Sequence, residues 1–160
     1  MRVVSNTSPL SNLAIVGRLD FLFRRYGAVQ IPPAVATELA ALSHPDGSRR
    51  IAQALAEGWL QIASAPVIPA LPFALDPGET EAIALACHLQ ADVLLMDEKR
   101  GRQAARHCGL VVAGVLGELV HARHAGWIPS VREEIQRLRR EAGFFVAATV
   151  EGFILSQVGE

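Results

Sequence analysis

The stretch that most constrains the fold is Asp76 to Arg102, DPGETEAIALACHLQADVLLMDEKRGR. It reads as a helix carrying Glu79 near its first turn, a short turn at Gln90-Ala91, and a buried strand from Val93 to Met96. A strand apolar at every position requires a sheet covered on both faces, as parallel sheets are. This one ends on Asp97, followed by Glu98 and the basic residues Lys99, Arg100 and Arg102. Ligands of open α/β sheets lie beyond the carboxyl ends of the strands. An acid at that end, with another on the preceding helix, points to a pocket that holds a cation.

Along the rest of the chain, strands alternate with helices. Arg2–Ser5 reads as the first strand, with Asn6-Thr7-Ser8-Pro9 as the turn leaving it. Ser8 is placed to cap the next helix with Pro9 at its first position. Leu10, Leu13, Ala14 and Ile15 form a helical stripe that Gly17 interrupts, and a second helix covers Leu19–Arg25. Val29–Ile31 is a strand stopped by Pro32-Pro33, after which a helix over Ala34–Leu42 points Val35, Leu39 and Leu42 inward, with Glu38 on the border of that face. His44–Ser48 is loop-like by composition, Arg49–Glu57 helical and Trp59–Ala63 a strand. Ala65–Pro77 carries four prolines and reads as an irregular crossing. Beyond the central segment come a helix over Lys99–Cys108, a strand over Leu110–Ala113 and a helix from Gly114 to Ala125. Ser130 caps a charged helix over Val131–Glu141, and the tail holds an edge strand and a last helix. The pattern predicts a three-layer α/β/α sandwich with a mainly parallel central sheet, in a single domain spanning residues 1–160.

Composition narrows the class. At 51% hydrophobic residues in 160 the chain can bury a substantial core. No apolar run reaches the roughly 20 residues of a membrane span, and MRVVSNTSPL has no signal-peptide pattern, so a cytoplasmic location is expected. A net charge of −1 carries no global nucleic-acid signal, and Lys99 is the only lysine among 15 basic residues. The arginines suit phosphate, although codon bias explains them equally well. Cys87 and Cys108 lack paired metal-ligand spacing and are expected to be reduced core thiols.

Asn6, Glu38, Glu79 and Asp97 compete for one site, each at a strand end or on the apolar border of a helix. Charges are costly there unless paired. Carboxylates within about 4 Å of one another repel by roughly 4 kcal/mol at an effective dielectric near 20, and a divalent cation removes that repulsion. Hard oxygen ligands select Mg2+ or Mn2+ over zinc. The chemistry inferred is metal-assisted phosphodiester hydrolysis. Glu79 and Glu81 lie about 200° apart round a helix. Glu79 shares the face of Ala82, Ile83 and Ala86 and points inward, whereas Glu81 is expected to face solvent. Asp97 is favoured as the ligand, with Glu98 behind it. Thr7 and Ser8 either contact phosphate or cap a helix, and Arg100, Arg102 and Arg106 are candidates for gripping an RNA backbone.

Four motifs, SNTSPLSNLAIVGRLDFL, IPPAVATEL, GETEAIALA and LLMDEKRGR, run in the order and spacing of the PIN-domain family, which the chain resembles from Val3 to about Phe145. The resemblance implies a metal-dependent ribonuclease built as a small α/β/α sandwich, often the toxin of a toxin–antitoxin pair, with RNA as substrate and a small antitoxin protein as partner. It also implies that Glu38, Glu79 and Asp97 match the family's acidic positions. Asn6 departs from the pattern, because the family usually places aspartate there. Asparagine offers a carbonyl oxygen without the charge, so metal is held more weakly, or the fold is kept for binding alone.

Other signals are set aside. Val111–Gly117 lacks the ending of a phosphate loop. His121 and His124 lack a third ligand. Cys87-His88 and His107-Cys108 do not resemble a nucleophile with its base. Trp59, Trp127 and the phenylalanines are expected to pack the core. Leu10, Leu13 and Leu19–Leu22 suit the core and, as a second possibility, a homodimer seam.

Overall fold

The computed structural model describes residues 1–160. Five strands form one sheet: β1 (Val3–Ser5), β2 (Val29–Ile31), β3 (Leu60–Ile62), β4 (Val93–Leu95) and β5 (Val112–Ala113). They lie in the order β3-β2-β1-β4-β5, and every pairing is parallel. Nine helices surround it: α1 (Thr7–Ile15), α2 (Asp20–Tyr26), α3 (Pro33–Ala40), α4 (Pro45–Glu57), α5 (Pro77–Leu89), α6 (Lys99–His107), α7 (Val115–His124), α8 (Val131–Ala142) and α9 (Ala148–Gln157). The α/β/α sandwich expected from the sequence is the fold observed.

The two-residue period of a strand divides the core between the faces. Val4, Leu94 and Met96 pack with Ala82, Ile83, Leu85 and Ala86 of α5 and with Ala104 and Ala105 of α6. Val3, Ile31 and Leu95 face the other way, toward Leu10, Leu13, Phe21, Leu22, Leu119, Ile135 and Leu138. Leu10, Leu13 and Leu22 have no exposed surface and Leu19 has 4%. This stripe is core, not a seam between copies. Each such leucine contributes roughly 1.5–3 kcal/mol of burial.

Several local expectations are corrected. Residues 45–48 are the first turn of α4, not a loop. Pro45 takes the first helical position, His44 Nδ1 accepts the Gly47 N–H at 2.9 Å, and Gly47 is buried where a Cβ would lie 3.2 Å from Ile15. Pro77 likewise opens α5, with the Asp76 carboxylate accepting the Glu79 N–H at 2.7 Å. At α1 the capping position belongs to Asn6, which makes no side-chain cap bond, and Ser8 is already inside the helix. The tail has no strand, because Phe144–Ala147 finds no partner before α9 begins. Glu81 does not simply face solvent: its Oε1 accepts the Ala34 N–H at 3.1 Å, capping α3. Of the aromatics, Trp59 and Phe21 are buried, but Phe23, Phe145 and Phe153 are exposed. No helix is long and apolar enough to cross a membrane.

Buried ion pairs brace the larger layer. Glu118, 1% exposed, accepts from Arg25 at 3.0 Å and from the Tyr26 hydroxyl at 2.6 Å. Glu134 accepts from Arg18 at 2.7 and 3.2 Å. Removing one partner from such a pair strands the other, so these acids are structural.

Candidate active site

Asn6 and Asp97 leave adjacent parallel strands. Ser5 is in register with Leu95, and the Asn6 N–H continues the ladder to the Leu95 carbonyl at 2.9 Å. Asp97 therefore emerges one step further out than the residue beside Asn6. Both bring side chains to the carboxyl edge of the sheet. Asp97 Oδ1 accepts the Val115 N–H at 3.0 Å at the start of α7. Gly114 makes that approach possible, since a Cβ there would lie 2.5 Å from the same oxygen. The glycine that opens the helix in the sequence thus seats Asp97. The second oxygen, Asp97 Oδ2, is buried and bonded to nothing, and so is Asn6 Oδ1.

Glu98, placed behind Asp97 in the sequence reading, is central. Its carboxylate accepts from Asn6 Nδ2 at 3.3 Å and from the Ser8 hydroxyl. It lines a cavity of about 350 Å³ shared with Asp97 and another of about 500 Å³ shared with Glu79. The signal for it was its position one residue beyond a strand end. Which of two consecutive acids turns toward the neighbouring strand depends on how the chain leaves the sheet.

Glu79 is buried on the inner face of α5, beside the first turn of α6, where a Cβ on Gly101 would lie 2.6 Å from its Oε2. Glu38 is exposed. Its carboxylate accepts from the Thr7 hydroxyl and rests against Gly78, where a Cβ would lie 2.6 Å from Oε1. Thr7 and Ser8 therefore act as donors that fix two acids. Glu98 lines one cavity with Asp97 and another with Glu79, and Glu38 is tied to Thr7, so the acids do not close on the single point expected from the sequence. No three His, Cys, Asp or Glu side chains are grouped to enclose one ion.

None of these four acids makes an ion pair, whereas every ion pair in the chain uses some other carboxylate. The consequence is electrostatic. Burial, helped by Asp76 and Glu98, raises Glu79 to about 8. Burial also raises Asp97 to about 6, against the Val115 N–H that favours its charge. Two oxygens without partners and a set of unpaired hard-oxygen donors fit an ion of the Mg2+ type, which keeps several waters and needs only one or two carboxylates.

Both shifts make the folded chain hold protons that the unfolded chain releases near pH 4. Their stabilising effect is complete below that value and is lost as pH rises through about 6 for Asp97 and about 8 for Glu79. In chelator, the Tm of the wild type relative to Glu79→Gln should therefore fall steadily from pH 5 to 8.5. A difference that stays flat or climbs over that range contradicts the buried, unpaired acid.

The arginines are less free than expected. Arg102 donates to the Met96 carbonyl at 2.9 Å, with its pKa lowered by burial and then by Arg106, so it braces the strand end under Asp97. Arg100 stacks on Phe73 at 4.4 Å and donates to the Ala74 carbonyl at 3.3 Å, on the rim of the cavity holding Glu79. Arg106 is exposed in the last turn of α6. His121 packs edge-on against Trp127. Cys87 and Cys108 are free and half-buried, and Cys87 is raised by burial and by its neighbour Cys108.

Among curated proteins none matches the chain. A solved structure, a PilT N-terminus domain protein from the hyperthermophilic archaeon Sulfolobus solfataricus P2, shares the fold with a TM-score of 0.51 at 16% identity, over 76% of this chain and 93% of that one. The family DUF3368, described as a PIN domain, matches residues 2–160. With that match running from the first strand to the end of α9, the chain belongs to the PIN-domain family, whose fold is a nuclease fold.

Proposed function

We propose that the protein is a metal-dependent ribonuclease that hydrolyses RNA phosphodiester bonds, as the toxin of a toxin–antitoxin pair. The observation that carries the reading is the pair of buried oxygens without partners, Asn6 Oδ1 and Asp97 Oδ2, amid acids that have no cation of their own. Asp97 and Asn6 would hold Mg2+ or Mn2+ through those oxygens. Glu98, Glu79 and Glu38 would supply further oxygens through retained waters. When bound, such an ion binds a phosphate oxygen, lowers the pKa of a water and stabilises the leaving oxygen.

The chain's own contribution is positioning. The start of α7 fixes one oxygen of Asp97, Ser8 and Asn6 hold Glu98, and Thr7 holds Glu38. Burial raises Glu79 to about 8, and a bound cation would favour its charged form. Arg100, on the rim, is the cation best placed to meet substrate phosphate. RNA and DNA present the same phosphodiester, and the choice of RNA rests on the family resemblance. That resemblance also supports an antitoxin partner, and the exposed Val150 and Phe153 of α9 offer apolar surface for a second copy of the chain.

The test is cleavage of single-stranded RNA and DNA of matched sequence by purified protein. RNA should be cut with added Mg2+ or Mn2+, and EDTA should stop it. Cleavage that persists undiminished in EDTA removes the metal from the reading, and no cleavage of RNA under any condition removes the nuclease.

A further inference from the structure

Phe145 is 85% exposed, the most exposed aromatic side chain of the protein, and it is not on a loose loop. Gly143, at φ 65°, ends α8, and the Phe144 N–H returns to the Leu138 carbonyl at 3.1 Å. On either side of Phe145 the chain is anchored. Phe144 packs against the larger core, Val146 is buried, and the Val146 carbonyl accepts from Arg139 at 3.0 Å. The ring is therefore held outward from a fixed backbone.

What it faces decides its use. Phe145 and Phe144 line the same cavity of about 350 Å³ as Asp97, Glu98, Ser8 and Asn12. That wall is aromatic on one side and acidic or amide-bearing on the other, with no lysine or arginine lining it. A phosphate gains nothing from the ring, whereas an uncharged nucleobase stacks on it, and every base has a π-face to offer.

We infer that Phe145 is a stacking platform for an unpaired base next to the scissile phosphate, so that the substrate is single-stranded at the cut. This rests on the nuclease reading, because the ring shares its cavity with Asp97. A phosphate near Asp97 Oδ2 and a base on Phe145 share one cavity, which selects a nucleotide adjoining the cleaved bond. A base inside a duplex is already stacked and cannot reach the ring without being unpaired. Asn12 is the amide positioned to meet the edge of that base.

The experiment is binding of a short fluorescent single-stranded RNA, by anisotropy in Ca2+ to hold back hydrolysis, with an RNA duplex as competitor. Base–aromatic stacks of this kind change affinity about 5- to 150-fold on alanine substitution. Phe145→Ala should weaken single-strand binding by about tenfold or more and Phe145→Trp should restore it, at unchanged Tm, with the duplex competing poorly. Equal affinity of wild type and Phe145→Ala overturns the stacking role alone and leaves the nuclease reading standing. A wild type that binds no RNA overturns both. A change of oligomeric state in Phe145→Ala with RNA affinity intact assigns the ring to a protein contact and overturns the inference.

Discussion

Replacing Asp97 by asparagine should lower kcat/KM for RNA cleavage at least about 100-fold while leaving the fold intact. A hundredfold is about 2.7 kcal/mol of transition-state stabilisation, within the several kcal/mol that a bound cation supplies. The fold survives because the amide oxygen of the new side chain can still accept the Val115 N–H, so the start of α7 keeps its cap. Burial is the largest influence on Asp97, so a neutral amide there relieves a cost. In chelator the variant should be as stable as the wild type or more so. With millimolar Mg2+ the order reverses, since only the wild type gains the stabilisation of a bound ligand. Glu118→Gln is the control. It alters an acid that is at least as buried but already paired with Arg25 and Tyr26, and should cost roughly 1–3 kcal/mol of stability with the chemistry spared. Full activity in Asp97→Asn removes Asp97 from the site.

That contrast also shows what a sequence can and cannot tell about acids. Asp97 stood out because it ends a run of apolar residues, and the strand it ends is where the pattern put it, shorter by one residue. Glu118 and Glu134 gave no such sign, because Arg25 and Arg18 lie far away in the chain and meet them only when α2 packs on α7 and the segment before α2 reaches α8. The same distance hides Glu98. Its role depends on Asn6 and Ser8, which reach it across two strands. Strands were legible because their β-branched runs have no other use, and helices because apolar residues recur at helical spacing. Helix starts were harder. Pro45-Asp46-Gly47-Ser48 has loop composition, yet Pro45 suits a first turn whose N–H it does not need, and a Cβ at Gly47 would crowd His44, Ile15 and Leu42. Phe144-Phe145-Val146 is a short apolar run such as a strand has. It lacks only a partner, which no local pattern reports.

The site's weakest point is its centre, and Asn6→Asp tests it from the opposite side. The asparagine is a compromise visible in its contacts: Nδ2 donates to Glu98 while Oδ1 is left unsatisfied. An aspartate at the same place loses the donor and sets a second carboxylate against Glu98. Without metal the variant should be less stable than the wild type, and more so as pH rises from 6 to 8. With metal the sign changes. One more charge facing the ion adds several kcal/mol of attraction at an effective dielectric near 20, and desolvation and the repulsion from Glu98 take back much of it. A gain of about 3 kcal/mol corresponds to roughly 100-fold tighter binding of Mg2+. Calorimetric titration and Tm with and without the ion read both halves. If cleavage rises along with affinity, Asn6 restrains a working nuclease. If affinity rises and RNA is cut by neither protein, the chain has kept the fold for binding. If Mg2+ binds both proteins alike, Asn6 does not touch the ion and the proposed centre is wrong.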